Sequence, residues 1–265
     1  MQKQLILATA IFASFAASAF AQQTQAASDH TFTGNLTLAS DYRFRGISQT
    51  FGKPAIQGGF DYAHSSGFYV GNWNSNVSGV QFPQGAGLEM DVYAGFKFEP
   101  VKDVTADIGV LYYYYPGALV GGTTEKFDNG EIYVGAAYKW FSAKYSYGIT
   151  DFFGLNNTTA GIYAFSALPG RGDSKGSGYL DLNANFEIAE KIVLGLHAGH
   201  QTVKNYGELS YTDYKVGVTR DFGFATVGLA VVSTNADKAF YKVSNGSKTR
   251  ETGKSTTVLS LSKTF

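Results

Sequence analysis

The sequence predicts an all-β fold, a single up-and-down antiparallel transmembrane β-barrel of about 12 strands with short periplasmic turns and long extracellular loops. Three observations predict it. Apolar and polar residues alternate with a period of two through most of the chain. The alternating segments run to roughly 9–13 residues, near the length of a tilted membrane-crossing strand, whereas globular strands average about 5–6. The connectors between them alternate between short and long.

The first residues stand apart. Lys3 precedes an apolar run, Leu5–Ala17, and Ala19-Phe20-Ala21 ends it before Gln22. That order is a secretory leader cleaved after Ala21, and a run this short falls below the ~20 residues a helix needs to cross a bilayer. Residues 1–21 are therefore read as signal peptide, 22–30 as a flexible tail and 31–265 as the barrel. Strands are predicted at 31–45, 55–63, 67–77, 88–99, 103–115, 130–139, 141–152, 178–188, 191–202, 211–220, 224–234 and 255–265. Leu180-Asp181-Leu182-Asn183-Ala184-Asn185-Phe186-Glu187-Ile188 shows the alternation most clearly, and strand geometry sends its two sets to opposite faces. Pro54, Pro83, Pro100, Pro116 and Pro169 all fall between the spans, as they must, because proline cannot donate to a ladder. The turns after 63, 99, 139, 188 and 220 are short. The loops 46–54, 78–87, 116–129, 153–177, 203–210 and 235–254 are long, the asymmetry of outer-membrane barrels.

Composition narrows the functions. Charged residues are 16% of the chain, the formal net charge is zero, and there are 32 glycines and no cysteine. Without cysteine there is no disulfide framework, thiolate zinc site or cysteine nucleophile. A balanced charge removes the electrostatic case for nucleic acid. Aromatic residues on the apolar parity gather toward strand ends: Tyr42, Phe44, Tyr112, Tyr114 and Tyr147 near the long loops, and Phe32, Tyr62, Phe68, Tyr138, Trp140, Phe141, Phe224 and Phe265 near the short turns. Two such belts match two bilayer interfaces. Hydrocarbon offers no partner for an open sheet edge, so the first strand is expected to pair with the last. The partners so implied are outer-membrane lipid, small hydrophilic solutes, and the export and barrel-assembly machinery.

Specific strings add a resemblance. Ser40–Thr50 (SDYRFRGISQT), Pro54–Tyr62 (PAIQGGFDY), Ser66–Val77 (SGFYVGNWNSNV) and the terminal Ser262–Phe265 (SKTF) closely resemble the bacterial TorF-type porins, a family of conserved hypothetical proteins. The resemblance covers the mature chain. It implies a Gram-negative outer-membrane location and a porin role, and it brings no agreed substrate, cofactor or catalytic residue.

Candidate pore-lining residues follow from the inward parity: Asp41, Arg43, Arg45, Asp61, Glu89, Asp91, Lys97, Asp107, Glu131, Lys144, Asp181, Asn183 and Lys215. Asp41, Arg43 and Arg45 on the first strand and Asp61 on the second form either a constriction whose transverse field sorts solutes or an ion-pair network that stabilises closure. Acids outnumber bases on this parity, so a pore would favour cations. No cofactor and no metal is expected, since His197 and His200 point to opposite faces of one strand. His64-Ser65-Ser66 reads as turn chemistry in preference to a lipid-hydrolysing Ser–His pair, so no catalytic residue is assigned. The Arg171-Gly172-Asp173 tripeptide in the longest loop reads as a chance match. The leading function is a passive outer-membrane channel for small hydrophilic solutes or ions. Its rivals are a non-conducting barrel acting through its loops as an adhesin or structural protein, a barrel enzyme, and a soluble periplasmic β-protein.

Overall fold

The computed structural model describes residues 28–81 and 86–265; the leader, most of the tail and Pro83 lie outside the described residues. The strands in chain order are β1 (His30–Ala39), the two-residue β2 (Arg43–Phe44) and β3 (Ile47–Ser48), β4 (Ala55–His64), β5 (Phe68–Asn76), β6 (Leu88–Val101), β7 (Val104–Tyr114), β8 (Asn129–Tyr138), β9 (Phe141–Gly148), β10 (Gly178–Ala189), β11 (Ile192–Thr202), β12 (Tyr211–Asp221), β13 (Thr226–Thr234), the short β14 (Lys242–Asn245) and β15 (Lys248–Glu251), and β16 (Thr256–Thr264). Twelve of them close an antiparallel barrel in meander order, β1-β16-β13-β12-β11-β10-β9-β8-β7-β6-β5-β4. The first and last strands pair as expected, Asn35 opposite Thr264 and Ala39 opposite Ser260. Gly34 and Phe265 then exchange two backbone hydrogen bonds of 2.7 and 2.9 Å. No barrel strand keeps a free edge.

Two predicted strands end early. The span 31–45 stops at Ala39, and the span 141–152 stops at Gly148. In the first case the chain leaves the wall and folds inward, so Tyr42 and Phe44, expected in the outer aromatic belt, lie inside instead. Tyr42 is 3% exposed, and Phe44 packs edge-on against Tyr113 with centroids 5.4 Å apart. In the second, the chain turns at Phe152–Gly154 with Phe153 in the left-handed region. The remaining belt residues Tyr112, Tyr114 and Tyr147 are exposed at one end, and Phe32, Trp140, Phe141, Phe224 and Phe265 at the other.

Alternation decides the two faces of the wall. Leu180, Leu182, Val216, Leu229, Val231, Leu259 and Leu261 face outward and are exposed. The inner face interleaves tyrosine and glycine: Tyr69 lies opposite Gly95, Tyr93 opposite Gly71 and Tyr133 opposite Gly109. A Cβ at Gly95 or Gly109 would run into the tyrosine hydroxyl across from it. Glycine is thus what lets a ring lie flat inside a barrel this narrow.

The long loops fold over one end. Tyr42, Trp73, Val77, Tyr113, Tyr115 and Phe153 pack as one apolar cluster. Leu155, Ala160, Leu168, Val203, Tyr206 and Leu209 form a second. The Arg171 guanidinium lies 2.7 Å from the Glu208 carboxylate, and Tyr206 donates its hydroxyl to the Gly172 carbonyl at 2.7 Å. The Arg-Gly-Asp string is therefore tied to its neighbouring loop. A backbone N–H and the Arg171 guanidinium hold the Glu208 carboxyl below the usual glutamate range.

Two outcomes follow. Deleting Leu261–Phe265 removes all but the Ala39–Ser260 end of the closing register, and the heat-modifiable compact band on an unheated gel is expected to disappear. Glu208→Gln frees Arg171, and trypsin cleavage after it is expected to rise about two- to fivefold, the range of an exposed ion pair; fragment masses against time measure it.

Candidate functional site

The segment from Ser40 to Pro54 crosses the interior of the barrel. Asp41 organises its root: its carboxylate accepts the Arg43 Nε–H at 2.6 Å and the hydroxyls of Ser48 and Thr50 at 2.7 and 2.9 Å. Arg43 also donates to the carbonyls of Gly46, Thr252 and Lys254, which ties the segment to the chain before β16. At the tip, Gly46 has φ +81°, and a Cβ there would collide with Thr234 on β13 and Asp213 on β12. Only glycine fits this position. Arg45, itself at φ 45°, reaches Glu131 on β8 with Nη2–Oε2 2.7 Å, Gln201 on β11 with Nη1–Oε1 2.7 Å, and stacks over the Tyr179 ring at 4.3 Å. Arg45 and Glu131 are both buried. This ion pair pins the segment across the lumen.

The sequence-predicted residues divide by depth. Asp41, Arg43 and Arg45 belong to the inward segment, not to the wall of β1, which corrects their assignment to the first strand. Glu89 and Asp91 on β6 and Glu131 on β8 sit beneath the loop clusters and are buried. Tyr42 donates to Glu89 Oε1 at 3.1 Å, while Glu89 Oε2 and Asp91 Oδ1 have no hydrogen-bond partner among the described residues. Toward the short turns the inner face is half-buried. There Asp61 accepts the Tyr93 hydroxyl at 2.6 Å, and Asp107 accepts the Tyr69 hydroxyl at 2.7 Å. Lys97 lies over the Tyr69 ring and opposite Asp107 in register. Lys144 lies over the Tyr133 ring and opposite Asp181. Asn183 donates to Asp181 at 2.7 Å. Lys215 lines a small cavity with Asp41, Arg43 and Gln57. The lumen is therefore packed shut toward the long loops and more open toward the short turns.

Several interior residues escaped the sequence reading. His197 was weighed there only as a metal ligand beside His200. It faces inward, with Nε2 2.7 Å from Asp213 Oδ1 and Nδ1 3.0 Å from Asp181 Oδ1, while His200 points outward to Thr212. Its odd position between Leu196 and Ala198 carried that signal. Tyr69, Tyr93, Tyr133 and Tyr179 also project inward, among the charged groups, amides and glycines the alternation predicts there; their parity is readable from the neighbouring outward Val70, Val92, Val134 and Leu180. Among the described residues, no cluster of three or more histidine and carboxylate side chains is arranged to hold a metal. His64 Nδ1 lies 2.8 Å from Ser66 Oγ and also accepts the Ser66 N–H, the pattern of a side chain closing its own turn.

Comparison with known proteins bears on the fold and the family. No curated protein sequence is similar to the chain. Among solved structures it is similar to the NanC porin, with TM-score 0.50 and 10% identity over 88% of this chain and 98% of that one. It is also similar to the KdgM porin, with TM-score 0.49 and 8% identity over 88% and 98%. At such identities the likeness is one of architecture. A family model described as "bacterial protein of unknown function", Gcw_chp, matches residues 23–265. The chain belongs to the Gcw_chp family of bacterial proteins.

Proposed function

We propose that the protein is an outer-membrane channel for small hydrophilic solutes or ions, shut in this conformation by the segment 40–54. One observation carries the reading: a closed barrel whose outward side chains are hydrocarbon while Asp181, Asn183, Lys144 and Asp107 face the inside. An outer wall of exposed Leu, Val, Ile and Phe is stable only in an apolar surrounding, and closure satisfies the backbone there. The leader read at Met1–Ala21 and the TorF-type strings support export to the outer membrane, and the NanC porin shares the architecture.

The packed long-loop end favours the rival reading of a non-conducting barrel, and the same feature separates the two. Glu89 Oε2 and Asp91 Oδ1 are buried without partners, a cost of roughly 1–3 kcal/mol each that the shut arrangement carries and a displaced loop relieves. With Arg45 released from Glu131 and Arg43 from the carbonyls of Thr252 and Lys254, the segment can leave the lumen without breaking the wall.

Single-channel recording tests this directly. Wild type is expected to show rare, brief openings, and Arg45→Ala, which leaves Glu131 buried and unpaired at a cost of about 3–5 kcal/mol, is expected to raise the open fraction at least tenfold. Silence from both proteins in every lipid would establish the non-conducting barrel. The interior acids Asp61, Glu89, Asp91, Asp107, Asp181 and Asp213 exceed the lysines Lys97, Lys144 and Lys215, so the reversal potential in a KCl gradient is expected to report cation preference. Finally, Leu229→Arg on the outward face of β13 is expected to lower stability by about 2–4 kcal/mol in vesicles, read by denaturant titration, and to matter far less if that face meets water.

A further inference from the structure

On most barrel strands among the described residues, the outward side chains away from the strand ends are apolar; polar ones such as Lys263, Arg220, His200 and Thr212 lie near the ends. Strand β5 departs from this. Its inward residues Tyr69, Gly71, Trp73 and Ser75 are buried, and its outward series runs Phe68, Val70, Asn72, Asn74, Asn76. Three amides thus replace hydrocarbon on one stripe of the wall. Asn76 has a local purpose: its Oδ1 accepts the Ile56 N–H at 2.7 Å where β4 begins. Asn72 and Asn74 have none of that kind. They bond each other, Nδ2 of Asn74 to Oδ1 of Asn72 at 2.6 Å and the reverse at 3.3 Å, and reach the carbonyls of Asp91 and Gly58. An amide oxygen accepts two hydrogen bonds, so each keeps an open acceptor position, half-exposed on a surface where acyl chains offer nothing.

We propose that this stripe is the contact face of a homodimer within the membrane, β5 against β5 of a second copy about a two-fold axis along the membrane normal. An amide both donates and accepts, so a second Asn72–Asn74 pair matches the first group for group, as an isologous contact requires. Exchange of the long 3.3 Å bond for one across the interface loses no partner. Gly58 beside Asn74 has no side chain, which lets the two walls approach closely, and polar groups flanked by small residues are the usual glue between membrane segments. Phe60 and Val92, in register with Asn72 on the flanking strands, give the polar centre an apolar rim. The proposal rests on the lipid-facing reading of the outer wall.

The absence of cysteine makes the test clean. Val92→Cys places one thiol beside the amides without touching them. Leu196→Cys places one on β11, directly across the barrel. Each purified variant is inserted into phosphatidylethanolamine–phosphatidylglycerol vesicles, recovered by flotation and treated with a flexible bis-maleimide cross-linker. The two-fold sets the β6 positions on either side of the axis, within reach of a flexible linker, so Val92→Cys is expected to give a cross-linked dimer and Leu196→Cys to stay monomeric. Adding Asn72→Leu and Asn74→Leu to Val92→Cys is expected to cut the dimer at least tenfold while heat-modifiable mobility shows the barrel intact. A Val92→Cys protein that floats yet stays monomeric, or dimerises equally without the amides, overturns the homodimer alone. Protein that does not float overturns the membrane reading, and the homodimer with it.

Discussion

The structure depends on one constraint, that every backbone N–H and C=O of the wall finds its partner in a neighbouring strand. On the lipid-facing reading of the wall, with hydrocarbon side chains covering the outside, water is not available to substitute there. The pairing of β1 with β16 is what meets the constraint, and the double hydrogen bond between Gly34 and Phe265 completes it at the last residue. Phe265 also lays its ring over Gly34, where any side chain would displace it. Phe265 is thus part of the closing seam.

Closure at twelve strands sets the bore, and the bore sets the interior chemistry. Eight-stranded barrels fill with side chains and sixteen-stranded ones hold a water channel. Here the inner wall uses tyrosines laid over glycines, which leaves hydroxyl groups to meet carboxylates, as Tyr69 meets Asp107 and Tyr93 meets Asp61. On the inner face, glycine and tyrosine are thereby linked, as at Tyr69 and Gly95 or Tyr133 and Gly109. A ring needs a flat wall opposite it, and glycine supplies the flatness.

The strands were legible because period-two alternation is forced by two different solvents on the two faces. Leu180–Ile188 could not be a helix, and closure followed from the same argument. What misled was Ser40–Arg45. Asp41, Arg43 and Arg45 alternate with Tyr42 and Phe44 as a wall strand would, yet the alternation there separates an apolar packing side from a polar one inside the lumen. Local pattern records that two environments exist, and not which they are. The contact of Arg45 with Glu131 links residues far apart in the chain, through a register that only the assembled barrel defines. His197 is the opposite case: its inward direction was readable, and its partners on β10 and β12 were not.

The inward segment also explains how a charged interior can be sealed without a large loss of stability. An isolated buried guanidinium or carboxylate costs several kcal/mol, and a pair repays that only with good geometry and further hydrogen bonds. Arg45 has both: two close contacts with Glu131, one with Gln201, and an aromatic face beneath it. Asp41 is likewise surrounded by Arg43, Ser48 and Thr50. Glu89 and Asp91, by contrast, are covered without being fully satisfied. Arg45 Nε is also buried without a partner, so the seal is strongest at the Arg45 Nη atoms and around Asp41, and weaker over Glu89 and Asp91. Arg45 pins this barrier to Glu131, Arg43 ties it to the chain before β16, and the carboxylates beneath it favour its withdrawal. That division of strength is what a closed state needs if it is to open without disturbing the ladder around it.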